Sequence, residues 1–380
     1  MHLVYEVRRI PAHSCLLMAD PAEAAGYPQG DLQLGFCGEC GFLSNMRFDS
    51  ALSDYSPRYE ETQHFSPRFN QFARELCARL IRDYDLRGKQ ILEIGCGKGE
   101  FLAMLCAMAD ARGTGIDPSC NPARLAHESG RRVRFIRDLY DERYRHLPAD
   151  VICCRHTLEH IHPTRDFINV VRRAIGDRHQ TLVFFEVPDV LRVLGECAFW
   201  DIYYEHCSYF SAGSFARLFR DCGFDVCELV RAYNDQYLWL VARPTDGPTR
   251  AALPLENDLA TLTEQVARFE QQAAGVVEAW RQRVRGLAHA GRRPVCWGAG
   301  SKCVAFLTTL GSTNHIEYVV DINPYKQGKY LPGTGHPVVA PRHIRDTPTE
   351  AILVMNPIYC DEIQRILDRL GIRAELIPVC

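Results

Sequence analysis

Apolar positions recur at helical spacing from Arg68 to Tyr84, where Phe69, Phe72, Leu76, Leu80 and Ile81 form one stripe. Ser66 stands in the N-cap position, with Pro67 at the first helical residue. From there to about Pro244, short apolar runs alternate with further helical stretches, which predicts a parallel, doubly wound α/β sheet. Between Leu255 and Ala290 a second stripe appears: Leu259, Leu262, Val266, Phe269, Ala273, Val276, Val277, Trp280, Val284 and Leu287. It predicts a long connector helix. Beyond it, the runs Pro294–Trp297, Ile316–Val320 and Ala351–Pro357 read as buried strands of a smaller α/β unit. Residues before about 65 carry short strands and turns punctuated by Pro and Gly. The pattern divides the chain into a small β-unit (1–65), an α/β domain (66–250), a connector helix (251–290) and a second α/β lobe (291–380).

The candidate chemistry begins where the strand Gln90–Ile94 runs into the turn Gly95-Cys96-Gly97-Lys98-Gly99 and then into a helix. Glycines there let a ligand approach the backbone, and the helix start offers unpaired N–H groups. Glu93, two residues before the first glycine, suits a cationic amino-acid moiety and would repel a pyrophosphate. A second strand, Arg112–Ile116, ends on Asp117, about 20 residues downstream, where ribose hydroxyls are gripped in such folds. This arrangement resembles motifs I and II of class I S-adenosylmethionine-dependent methyltransferases. The resemblance implies that Glu93, Gly95, Cys96 and Gly97 hold the methionine portion of the donor and Asp117 its ribose. It puts Asp138 and Leu139 at the adenine edge, with His156 next along the rim. His160 belongs to the same rim; with no third ligand evident, an i,i+4 metal pair is not assigned.

Composition changes this picture little. The chain of 380 residues has 47% hydrophobic and 24% charged content, ordinary for a multidomain globular enzyme. A net charge of −3 and the lack of any Lys/Arg-rich run give no attraction to nucleic acid or to an anionic membrane. No stretch approaches the ~20 apolar residues of a membrane span, and Met1–Glu6 lacks a signal-peptide pattern, so a cytoplasmic enzyme is expected. The 17 cysteines lie mostly in apolar patterns and are expected to be buried, reduced thiols. Cys37-Gly38-Glu39-Cys40-Gly41 has the form of half a zinc knuckle, but no second CxxC precedes it. His13 and Cys15, at irregular spacing, are the only candidates to complete a site, so structural zinc is not the expectation.

The order of these blocks resembles the three-domain C-methyltransferases that act on nucleotide-linked keto-deoxysugars in antibiotic pathways. The closest local match is Phe199-Trp200-Asp201-Ile202-Tyr203-Tyr204-Glu205-His206-Cys207-Ser208. There the resemblance implies a catalytic Tyr203, Glu205 and His206, with His206 as the base that removes the proton beside the sugar ketone. In the C-terminal lobe, Asp321-Ile322-Asn323-Pro324-Tyr325-Lys326-Gln327-Gly328 is similar to the family's DxNPxKQG. A neutral histidine suits this chemistry, because making a nucleophilic carbon means removing a proton α to a carbonyl, and Tyr203 would donate a hydrogen bond to the enolate. Tyr55, Tyr59, Gln63 and Ser66 are expected to close over the ligands as a lid. Gln236, Gly298 and Lys302 are assigned to the acceptor, Lys302 as a phosphate anchor in the second glycine turn. Departures from the family pattern are Met355-Asn356-Pro357 on the late strand, Trp297-Gly298-Ala299-Gly300 in that turn, and the missing first CxxC. The first two leave open the alternative of O- or N-methylation of another small molecule.

Overall fold

The computed structural model describes residues 1–53, 55–125, 132–311 and 313–380. Among them, three sheets carry the fold. The N-terminal sheet contains β1 (His2–Pro11), β2 (Gln29–Phe36) and β3 (Leu43–Asn45). The central sheet contains β4 (Gln90–Ile94), β5 (Arg112–Ile116), β6 (Val133–Ile136), β7 (Val151–Arg155), β8 (Leu182–Pro188), β10 (Phe224–Ala232) and β11 (Tyr237–Pro244). A short strand between the last two groups, β9 (Ser208–Tyr209), leaves the central domain and joins the N-terminal sheet, where Leu43 faces Tyr209 and Ser44 faces Ser208.

The central sheet has the order β10-β11-β8-β7-β4-β5-β6. β4 to β8 pair in parallel, and β11 inserts antiparallel between β8 and β10. β7 and β8 are buried almost throughout, as a strand covered on both faces must be. The order reverses beside β4, so β4 and β7 open a crevice at their C-terminal ends. The C-terminal lobe repeats the principle with the all-parallel order β14-β13-β12-β15-β16, built from Val295–Trp297 (β12), Val319–Val320 (β13), Val338–Val339 (β14), Ala351–Val354 (β15) and Glu375–Pro378 (β16).

The helix Pro67–Tyr84 starts where the sequence places it: Ser66 Oγ accepts from Phe69 N at 3.2 Å, and Phe69, Leu76, Leu80 and Ile81 are buried. The connector spans Leu259–His289 and buries Leu262, Val266, Phe269, Ala273, Val277, Trp280 and Val284. It does more than connect. Its stripe enters one continuous core with Leu34 and Phe36 of β2, Phe199, Trp200 and Tyr204, and Phe306 and Leu353 of the C-terminal lobe. Each fully buried large apolar side chain contributes about 1.5–3 kcal/mol, so the N-terminal sheet, the connector and the C-terminal lobe stabilise one another, with residues 190–200 of the central domain packed into the same core. No described helix is long and apolar enough to cross a membrane.

Candidate active site

A cleft of about 960 Å³ opens where the three units meet. The central sheet supplies its first wall through the turn after β4. Gly95 and Gly97 have φ of +69° and +53°, and a Cβ on Gly95 would lie 2.1 Å from Thr157 Oγ1. Asp117, at the end of β5, accepts from Gly97 N at 2.9 Å and Ser119 N at 2.6 Å, which fixes the turn against the neighbouring strand. Glu93 is 2% exposed and its Oε2 has no partner. Burial pushes its carboxyl up to about 8, against the opposing charge of Arg155. The helix Glu100–Ala109 begins with no side-chain cap. A glycine turn packed too closely for larger residues, an uncapped helix start and a buried carboxyl with one unpartnered oxygen fit the methionine end of S-adenosylmethionine, whose ammonium would complete Glu93.

The remaining expected donor residues line the same cleft. Asp138 accepts from Tyr144 Oη at 2.6 Å and Leu139 N at 2.8 Å, and the Tyr144 hydroxyl holds its carboxyl below the usual range. Leu139 is 63% exposed at the rim. His156 adopts φ +48°, a left-handed turn after β7 that sets its Nε2 2.8 Å from Glu186 Oε1, beside Arg155.

The second wall is the loop before β9. Glu205 is 1% exposed and accepts from His13 Nδ1 at 3.0 Å, Ser14 N at 3.1 Å, Tyr59 Oη at 3.0 Å and Ser301 Oγ at 3.5 Å. Burial by itself would raise its carboxyl, but the hydrogen bond and charge of His13 hold it well below the usual carboxylate range. His206, 5% exposed, packs its ring 4.2 Å from that of Tyr203 and 4.7 Å from that of His160. Burial, then His160, keeps its imidazole far below the ordinary histidine value, while Glu205 and Asp201 pull in the opposite direction. The ring is therefore neutral, and it faces the cleft. Burial raises the Tyr203 phenol, so it remains a hydrogen-bond donor.

Two sequence expectations change. Tyr55 and Tyr59 are not a lid: Tyr59 is a buried donor to Glu205, and Tyr55 Oη lies 2.9 Å from His160 Nδ1, inside the polar cluster. Gln63 is likewise held in place, accepting from Tyr359 Oη at 3.0 Å, and Ser66 donates to Glu362. Lys302 is not an open phosphate anchor. Its Nζ donates to Asp201 Oδ2 at 2.8 Å and Gln236 Oε1 at 3.4 Å, and Asp201 also pairs with Arg192. Gln236 in turn accepts from Asn356 at 2.8 Å, so these residues, with the Gly298 turn, form the third wall of the cleft. The four zinc candidates separate. His13 serves Glu205 and Cys15 meets Ser301, whereas Cys37 and Cys40 bracket a surface turn; among the described residues no metal-capable group joins them.

His13, Ser14 and Ser301 were missed as partners of Glu205, and Glu159 was missed altogether. Glu159 is 1% exposed, with neither carboxylate oxygen bonded, and burial pushes it up to about 8. His13 lies 192 residues from Glu205, and no local pattern links them. The only sequence signal for Glu159 is its place between His156 and His160.

The central topology and the donor cradle define a class I S-adenosylmethionine-dependent methyltransferase. Comparison with known families agrees: a profile described as a methyltransferase domain matches residues 65–229, and one described as a C-methyltransferase C-terminal domain matches residues 248–374. The chain belongs to the S-adenosylmethionine-dependent methyltransferases of the C-methyltransferase type. It is 28% identical over 302 residues to C-methyltransferase NovU of Streptomyces niveus, covering 76% of this chain and 71% of that protein. Similar solved structures include the 1,6-didemethyltoxoflavin-N1-methyltransferase of Burkholderia thailandensis (20% identity, 47% of this chain, 82% of that chain, TM-score 0.37). Another is the magnesium protoporphyrin IX methyltransferase of Synechocystis (17% identity, 47% of this chain, 84% of that chain, TM-score 0.35).

Proposed function

We propose that the enzyme methylates a carbon α to a ketone in a small-molecule acceptor, a nucleotide-linked keto-deoxysugar, with His206 as the general base. The observation that carries this reading is a buried, neutral imidazole facing the same cleft as the donor cradle. S-adenosylmethionine, when bound, supplies an electrophilic methyl group. His206 removes the α-proton, and the Glu205 carboxylate stabilises the imidazolium that results. Tyr203 donates its hydroxyl proton toward the enolate oxygen. His13, Ser14 and Tyr59 act through Glu205 by holding its charge in place. The C-terminal wall brings Lys302, Asn323 and Asn356 to the cleft, groups that suit the nucleotide portion of the acceptor. We place the enzyme in the cytoplasm, where its unpaired thiols stay reduced.

Solvent exchange tests the proposal. With S-adenosylhomocysteine bound, which has no methyl to give, the wild type should exchange the α-proton of a keto-sugar nucleotide with deuterated solvent. His206→Asn should lose exchange and methyl transfer by about 10²–10⁴-fold while keeping donor affinity. O- or N-methylation predicts no carbon-bound exchange, and near-normal turnover by His206→Asn removes the base assignment.

A further inference from the structure

Glu159, His160 and His206 converge on the floor of the cleft. One carboxylate oxygen and one nitrogen from each ring all lie within 4.8 Å of one another. The carboxylate is the unusual member: it is 1% exposed, and neither oxygen has a hydrogen-bond partner. A buried carboxylate left in that state is costly, and either a proton or a bound cation neutralises it. His160 Nδ1 lies 2.9 Å from the Tyr55 hydroxyl, which fixes the ring. Metal-bound histidines commonly have such an anchor on the other nitrogen.

We propose that Glu159, His160 and His206 form a binding site for a borderline divalent cation of the Zn²⁺, Co²⁺ or Ni²⁺ class, and that filling it withdraws His206 from catalysis. Two imidazoles and one carboxylate select these ions over Mg²⁺ and Ca²⁺, which prefer all-oxygen shells. Ligand bonds of about 2.0–2.2 Å bring neighbouring ligand atoms to roughly 3–3.5 Å, so side-chain shifts of under about 1 Å close the triangle. All three residues line the cleft, which leaves the remaining coordination positions facing acceptor or water. The ring nitrogen of His206 that binds the metal has given its lone pair to it and cannot also accept a proton. This second half rests on the base assignment above; the binding half does not.

The test uses the full chain, stripped with a chelator and titrated with Co²⁺. One equivalent should bind and give visible ligand-field bands without thiolate charge transfer, which separates this site from Cys37, Cys40 and the other thiols. Glu159→Gln and His160→Asn, each checked for folding and donor affinity, should weaken cobalt binding roughly tenfold or more. Zn²⁺ should stop solvent exchange of the acceptor proton in competition with acceptor, and chelation should restore it. Absence of saturable cobalt binding, a thiolate spectrum, or affinity indifferent to both variants overturns the site. Exchange that persists with cobalt bound overturns the withdrawal of His206, whereas its assignment as base is decided separately by His206→Asn without metal.

Discussion

Glu205 and His206 are adjacent in sequence and opposite in electrostatic condition. The first is held ionised by a ring of donors, the second is held neutral by burial. That contrast assigns roles: a carboxylate already accepting from His13, Ser14 and Tyr59 positions and stabilises, while an unprotonated ring accepts. Glu205→Gln should therefore lower kcat by more than it changes donor affinity, and Tyr59→Phe, which removes one donor of several, should cost less; equal effects of the two on kcat would contradict the positioning role. Glu93 yields a second expectation at this scale. Its carboxyl, pushed up to about 8, is mostly protonated at pH 7. The donor's ammonium and sulfonium favour the ionised form, so binding should release a proton and affinity should rise with pH toward about 8. Calorimetry in two buffers of different ionisation enthalpy measures this directly. Glu93→Gln should remove most of the release, and a buffer-independent enthalpy in the wild type would refute it.

At the scale of elements, the two glycine turns are built alike and used differently. Asp321 after β13 accepts from Ala299 N at 2.8 Å, as Asp117 after β5 accepts from Gly97 N. Lys326 adds a bond to Ala299 O at 2.9 Å, and Gln327 one to Asp321 O at 2.9 Å, so Asp321-Ile322-Asn323-Pro324-Tyr325-Lys326-Gln327 serves as a clamp on its own turn. The C-terminal turn carries no buried acid equivalent to Glu93; Trp297 stands just before Gly298. Its cation, Lys302, is committed to Asp201 and Gln236 on the central domain. Lys302→Ala should thus raise the acceptor KM by loosening the wall between the lobes and leave donor affinity unchanged. Donor titration alongside steady-state kinetics checks this, and weakened donor binding would show that the two walls are not independent.

At the scale of the whole molecule, Glu60 ties the three units together. It takes a two-pronged contact from Arg124 at 2.7 and 3.1 Å and a bond from Asn323 at 2.8 Å. The apolar core likewise runs from β2 through the connector into the C-terminal lobe. Calorimetric unfolding of the full chain should show one cooperative transition. A chain ending after Pro244, which strips Phe269, Trp280 and Phe306 from that core, should lose cooperative unfolding or precipitate; two separable transitions, or a stable truncated form, would refute the shared core.

Periodicity, capping and glycine spacing are local, and the sequence by itself determined what they encode: the helix behind Ser66, the long connector, both glycine turns, Asp117 and the Tyr203–His206 segment. Only the tertiary structure decided what that segment faces. β9 leaves its own domain to pair with β3, and this carries His206 beside His160 and brings Glu205 against His13. The expected lid failed for the same reason. His13, Tyr55 and Tyr59 carry no local mark of their partner, because a contact across roughly 150 to 190 residues is set by how sheets dock and bury charge, not by spacing along the chain. Glu159 is the limiting case: its lack of a hydrogen-bond partner becomes visible only when every surrounding polar atom is in place.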